Sequence, residues 1–135
     1  MTASSVTSAS LDPPLVLAVI GETRQSHVLI ENSGRFGMSI LDESQSDIAL
    51  HFASPAEKRG DLDASSLTDL EGMPVISGSI AAMNCRVTAA HTAGDHTVFI
   101  GEVEYIQVDD GNPLVWFQRQ FGGFSDASNS EDSDS

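Results

Sequence analysis

Apolar and polar positions along the chain change rhythm several times. Residues 15–20 form an unbroken apolar run between Pro14 and Gly21, which predicts a buried strand. A short helical stretch follows with His27, Leu29 and Ile30, closed by Asn32-Ser33-Gly34 as a stop signal. Phe36, Met38 and Ile40 then alternate with Gly37, Ser39 and Leu41, a second strand. Asp42 or Ser44 offers an N-cap for a helix through Ile48, Ala49 and Phe52. Residues 54–72 carry charges and glycine and predict a surface loop with a helical turn in it. Residues 74–76 read as short and extended.

The back half is β in pattern. Residues 80–92 place Cys85, Val87 and Ala89 in alternation, and Gly94-Asp95 makes a turn. Residues 96–108 then carry Val98, Ile100, Val103, Tyr105 and Val108, with Gly101 expected at a bend or bulge. Asp110-Gly111-Asn112-Pro113 is another turn, and residues 114–121 predict one last aromatic strand. Long antiparallel strands joined by tight turns predict a mainly β domain, a barrel, with the two short helices outside it or closing its end. No internal repeat is present. The chain's ends differ from its middle. Residues 1–14 are rich in Ser and Thr, and on composition alone would be a disordered leader. Residues 125–135 hold Asp126, Glu131, Asp132 and Asp134 with one Ala as the only apolar residue, and predict a disordered acidic tail after a domain spanning 1–124.

Length fits one domain, since 135 residues bury a sizeable core. Charge narrows the partners. Twenty acids face six Lys plus Arg, for a formal charge of -14, and such a surface repels phosphate backbones, so nucleic acid is not an expected partner. The acidity itself reads as adaptation to salt or as a solubility device. No apolar run is long enough to span a bilayer, and no basic-then-apolar leader opens the chain, so neither membrane nor secretion is expected. Cys85 is the single cysteine. It excludes an intrachain disulfide and points to a reducing cytoplasm. Its apolar strand neighbours predict an inert buried thiol. His27, His51, His91 and His96 show no metal-binding spacing. No phosphate-cradling glycine motif and no nucleophile elbow is present. Composition and spacing lead to a soluble, acidic, mainly β domain and stop there.

Three segments carry the reading further. The first is the run T-A-S-S-V-T-S-A-S-L-D-P-P-L from Thr2 to Leu15. The second is Ser33-Gly34-Arg35-Phe36-Gly37-Met38-Ser39-Ile40-Leu41, followed by Ser44-Gln45 and His51-Phe52-Ala53. The third is Gly94-Asp95-His96-Thr97-Val98-Phe99-Ile100-Gly101-Glu102-Val103, then Pro113-Leu114-Val115-Trp116-Phe117. In their order and spacing, over nearly all of residues 2–121, they resemble the flavin reductases that supply reduced flavin to two-component monooxygenases.

That resemblance implies an FMN-binding split β-barrel with short flanking helices. It also implies an N-terminal helix and about two barrel strands ahead of the T-A-x-S segment, which this sequence lacks. The implied activity is hydride transfer from NADH or NADPH to FMN, with FAD as the other flavin, and the implied partner is a monooxygenase component. Other readings are a flavin-binding electron-transfer protein without nicotinamide activity and a non-catalytic interaction module. Thr2, Ala3, Ser4 and Ser5 are then expected at the flavin ring, with Ser8 and Ser10 toward ribityl and phosphate. Small residues let the backbone approach the ring, and N–H groups there would stabilise the charge that grows at its N1/O2 edge. Ser26 and His27 at a helix N-terminus are expected at the phosphate, and Arg59 adds charge from the loop. Asp95 and His96 are expected on the nicotinamide side, with Asp95 holding the turn and the imidazole tautomer. Family members pair, and the aromatic strand of Trp116, Phe117, Phe121 and Phe124 predicts a homodimer.

Overall fold

A computed structural model of the chain describes residues 1–128. The acidic tail expected at 125–135 lies, from residue 129 on, outside the described residues. The main sheet has five antiparallel strands: β1 (Val6–Leu11), β2 (Pro14–Gly21), β3 (Arg35–Ile40), β6 (Ala81–Ala93) and β7 (His96–Val108). Their spatial order is β1-β2-β7-β6-β3. The unbroken apolar run becomes β2, an interior strand with Ala18 and Ile20 buried. The helix α1 (Gln25–Ser33) follows β2 and ends on Gly34 at φ 68, whose N–H bonds the Ile30 carbonyl at 2.8 Å. Only glycine takes that left-handed cap without a Cβ penalty, so the stop signal reads through directly.

The core gathers Ala18, Ile20, Ile30, Phe36, Met83, Cys85 and Phe99. Along β7 the buried positions are Thr97, Phe99 and Gly101, while Val98 and Ile100 are half-buried on the other face. Gly101 answers a close approach: a Cβ there would sit 2.6 Å from Cζ of Phe36. The irregular pairing falls opposite it on β6, at Val87/Ala89, with a second shift at Asn84/Cys85. Cys85 is fully buried, and burial raises its thiol to about 11, as an inert core cysteine requires.

Four expectations change. Residues 6–11, disordered on composition, form the edge strand β1, because a turn at Asp12-Pro13 folds them back onto β2 from Leu11↔Pro14 to Val6↔Ala18. The loop at 54–72 contains two short 3-10 turns and a strand, β4 (Leu67–Leu70), paired with β5 (Met73–Ile76). Helix α2 (Ser46–Ala53) is capped by neither Asp42 nor Ser44. Its N-cap is Gln45, whose amide accepts from the Asp42 N–H and donates to the Ser77 carbonyl. The single aromatic strand at 114–121 is a hairpin, β8 (Val115–Phe117) and β9 (Gln120–Gly122). Gln118 and Arg119 turn it with φ of 50 and 63, a two-residue reversal that usually draws Gly, Asn or Asp. Among the described residues no helix is long and apolar enough to cross a membrane.

Candidate functional site

Three chain segments meet at one end of β2 and β7. The Ser5 carbonyl accepts the Val19 N–H at 3.0 Å, which fixes residues 2–5 beside β2. The Glu22 N–H donates to the Asp95 carbonyl at 3.0 Å, and the Arg24 N–H donates to Gly21 at 3.1 Å. These bonds lock the loop from β2 to α1 against the β6–β7 turn. Gly21 pairs with His96 and Ile20 with Thr97 across the strands.

Between the segments lies an open cleft of about 370 Å³, within the size range of small-molecule sites. One wall is Met1, Thr2, Ala3, Ser4 and Ser5; the others are Val19, Gly21, Thr23 and Arg24, and Asp95 with His96. Thr2 is also an anchor. Its N–H donates to the Phe52 carbonyl at 3.3 Å and its hydroxyl to the Ala49 carbonyl at 2.5 Å, which moors the segment on α2. Nδ1 of His96 meets Asp95 Oδ1 at 2.7 Å, leaving Nε2 on the cleft side, 3.7 Å from the Cβ position of Gly21. That hydrogen bond holds the Asp95 carboxyl below its ordinary value.

The cleft wall carries the Arg24 guanidinium and the Met1 amine as well as the Asp95 carboxylate. Arg24 lines the cleft and has no carboxylate partner among the described residues. Burial holds the Met1 amine below its ordinary value, and the Arg59 and Arg24 guanidiniums lower it further. Arg24 also occupies the N-cap of α1, and no side chain caps that helix end. Free N–H groups at a helix N-terminus with a guanidinium beside them favour an anion.

The sequence-predicted residues divide accordingly. Thr2, Ala3, Ser4, Ser5, Asp95 and His96 come together in the cleft. Ser8 and Ser10 lie along β1, paired opposite Val16 and Leu15, and do not line it. Ser26 stands in the first turn of α1, outside the lining. His27 is corrected: it is a core residue, 7% exposed, with Nε2 bonded to the Thr97 hydroxyl at 2.7 Å and its ring edge-on to Phe99. Its position in the second half of the first turn carries it inward. Arg59 is likewise off the cleft wall. It clamps the end of α2 through the Ser54 and Phe52 carbonyls, at 2.9 and 3.0 Å, and lies over the Phe52 ring. Arg24 was missed although a signal existed. It is one of six bases in an acidic chain and sits directly before a helix that follows a strand, the arrangement that favours anions.

Comparison with known proteins gives the family and the fold. The sequence profile described as "Flavin reductase like domain" matches residues 1–125. An NADH-dependent flavin reductase of a Rhodococcus species is 40% identical over 121 residues, spanning 90% of this chain and 67% of that protein. The FMN reductase (NADH) SmoA of Agrobacterium fabrum is 39% identical over 125 residues, spanning 93% and 71%. Among solved structures, the styrene monooxygenase flavin reductase of Pseudomonas putida superposes with a TM-score of 0.83 at 34% identity, covering 93% of this chain and 80% of that one.

Proposed function

Because the chain belongs to the flavin reductase like domain family, which matches it over residues 1–125, we propose that the cleft binds a flavin nucleotide beside a nicotinamide. The domain is an oxidoreductase with a split-barrel fold. It takes hydride from NADH and passes it, as reduced flavin, to a monooxygenase partner. FMN is the preferred flavin, a choice supported by the name of the Agrobacterium relative. The observation that carries the reading is the convergence of Thr2–Ser5, Arg24 and His96 on one cleft.

The residues suit the ligands. The segment 2–5 offers small side chains and backbone N–H groups to the polar edge of a planar ring. Arg24 and the uncapped start of α1 suit a phosphate. His96 stands on the facing wall, its orientation set by Asp95, where its Nε2, an acceptor while Nδ1–H donates to the carboxylate, can accept from the carboxamide N–H of a nicotinamide nucleotide. The bound flavin supplies the redox chemistry; the chain supplies alignment of two rings and a partly enclosed setting. No side chain is required to move a proton.

The domain also pairs with a second copy. The hairpin β8–β9 leaves Phe117 71% and Trp116 49% exposed, and Phe124 beyond it is 65% exposed, an apolar group of the kind that marks an interface. The chain is expected to run as a dimer in light scattering at micromolar concentration. For the activity, purified protein with NADH and free FMN should oxidise the nucleotide and bleach the flavin. Silence with FMN, FAD and riboflavin, using either NADH or NADPH, would overturn the enzyme reading.

A further inference from the structure

The buried bond between His27 and Thr97 does nothing in the site as described, yet it costs desolvation in a core made of Ile20, Ile30 and Phe99. Both residues are buried, 7% and 6% exposed, and the bond is 2.7 Å. Among the described residues it is the only side-chain hydrogen bond that joins α1 to β7. Its position links it to the cleft. His27 lies one helical turn after Arg24, and Thr97 directly follows His96. Above the bond, Gly21 separates the two cleft side chains: its Cβ position is 3.6 Å from Cγ of Arg24 and 3.7 Å from Nε2 of His96. Apolar packing between a helix and a strand tolerates small slides, whereas a short hydrogen bond fixes one register.

We propose that His27 and Thr97 are positioning residues that hold Arg24 and His96 at a fixed spacing. The buried pair thereby sets the enzyme's preference for a phosphorylated flavin. The inference rests on the reading of the cleft as a flavin-nucleotide site. Riboflavin, which has the ring but no phosphate, separates positioning from general damage to the fold.

The test compares KM for FMN and for riboflavin in NADH oxidation by the unaltered chain, Thr97→Val, Thr97→Ser and the double variant His27→Leu/Thr97→Val. Thr97→Val should raise KM for FMN roughly three- to tenfold, as a lost neutral hydrogen bond would, and move that for riboflavin less than about twofold. Thr97→Ser, which keeps the hydroxyl, should restore the FMN preference. The double variant should match Thr97→Val, because both changes remove one shared bond. It also leaves no buried polar group unpaired, so it carries the comparison if Thr97→Val alone does not fold. Equal shifts for both flavins, or an unchanged FMN-to-riboflavin ratio in an active variant, would overturn the positioning role. An unaltered chain that turns over neither flavin would sink the site reading itself, and this inference with it.

Discussion

Two pairs of arginines on this molecule are treated in opposite ways. On the sheet, Arg35 reaches Glu104 at 2.6 Å and the buried Asn84 at 2.9 Å, and Arg86 reaches Glu102 at 2.6 Å and Glu104 at 3.5 Å. At the cleft end, Arg24 has no carboxylate within reach among the described residues, and Arg59 bonds only carbonyls. Twenty acids face six bases in the chain, so an unpaired arginine is not the default here. The sheet arginines are neutralised where they stand and serve the register of β3, β6 and β7. Arg24 stands on the cleft wall with its charge unpaired by a carboxylate among the described residues, whereas the Arg59 guanidinium clamps the end of α2 off that wall.

Reversing the charge at the cleft should break this contrast most severely. Arg24→Glu should weaken FMN binding by more than about 100-fold, since a charged hydrogen bond is lost and a like charge faces the phosphate. Riboflavin turnover should hardly change, and steady-state kinetics with both flavins would show it. Next in size is His96→Ala. Loss of one bond to the nucleotide should lower kcat/KM for NADH roughly 5- to 150-fold. Stability should fall by only about 0–1 kcal/mol, since His96 is a surface turn residue, and flavin affinity should hold. Equal weakening of flavin binding and nucleotide turnover would make His96 a turn residue alone.

The smallest effect belongs to the sheet pair. The hydrogen bond from Arg35, with Arg86 adding to it, holds the Glu104 carboxyl below its ordinary value of 4.5. A carboxyl depressed in the folded state stabilises the fold above its unfolded value, and that stabilisation is lost as pH falls through the folded value. Glu104→Gln should therefore lower Tm slightly at neutral pH and converge with the unaltered chain in acid. Turnover with FMN should stay unchanged. A thermal melt at neutral and acid pH checks the first part. Slowed turnover would mean that the sheet arginines reach the site after all.

Legibility in the sequence followed how local each signal was. The apolar run of β2, the alternation in β3 and the glycine stop of α1 are neighbour-to-neighbour patterns, and each became the expected element. The β8–β9 hairpin was not legible, because its turn residues Gln118 and Arg119 carry none of the usual turn chemistry. Strand β1 was hidden for a different reason. Ser and Thr composition says disorder, and only pairing with β2 orders it. Residues 2–5 and 95–96 are singled out by the family resemblance and not by any local pattern, and the fold brings them to one cleft. His27 stands in the first turn of α1 but packs inward, against the Thr97 hydroxyl and the Phe99 ring, a tertiary contact that a helix-start signal does not carry.

The central claim is that the cleft recognises a flavin nucleotide through its phosphate. Equilibrium titration of the chain with FMN and with riboflavin, followed by flavin fluorescence at low and high salt, tests it without relying on turnover. FMN should bind more tightly than riboflavin at about 20 mM salt, and the gap should shrink toward about 500 mM as the Arg24 charge is screened. Equal affinities for the two flavins at low salt, unmoved by salt, would contradict the account.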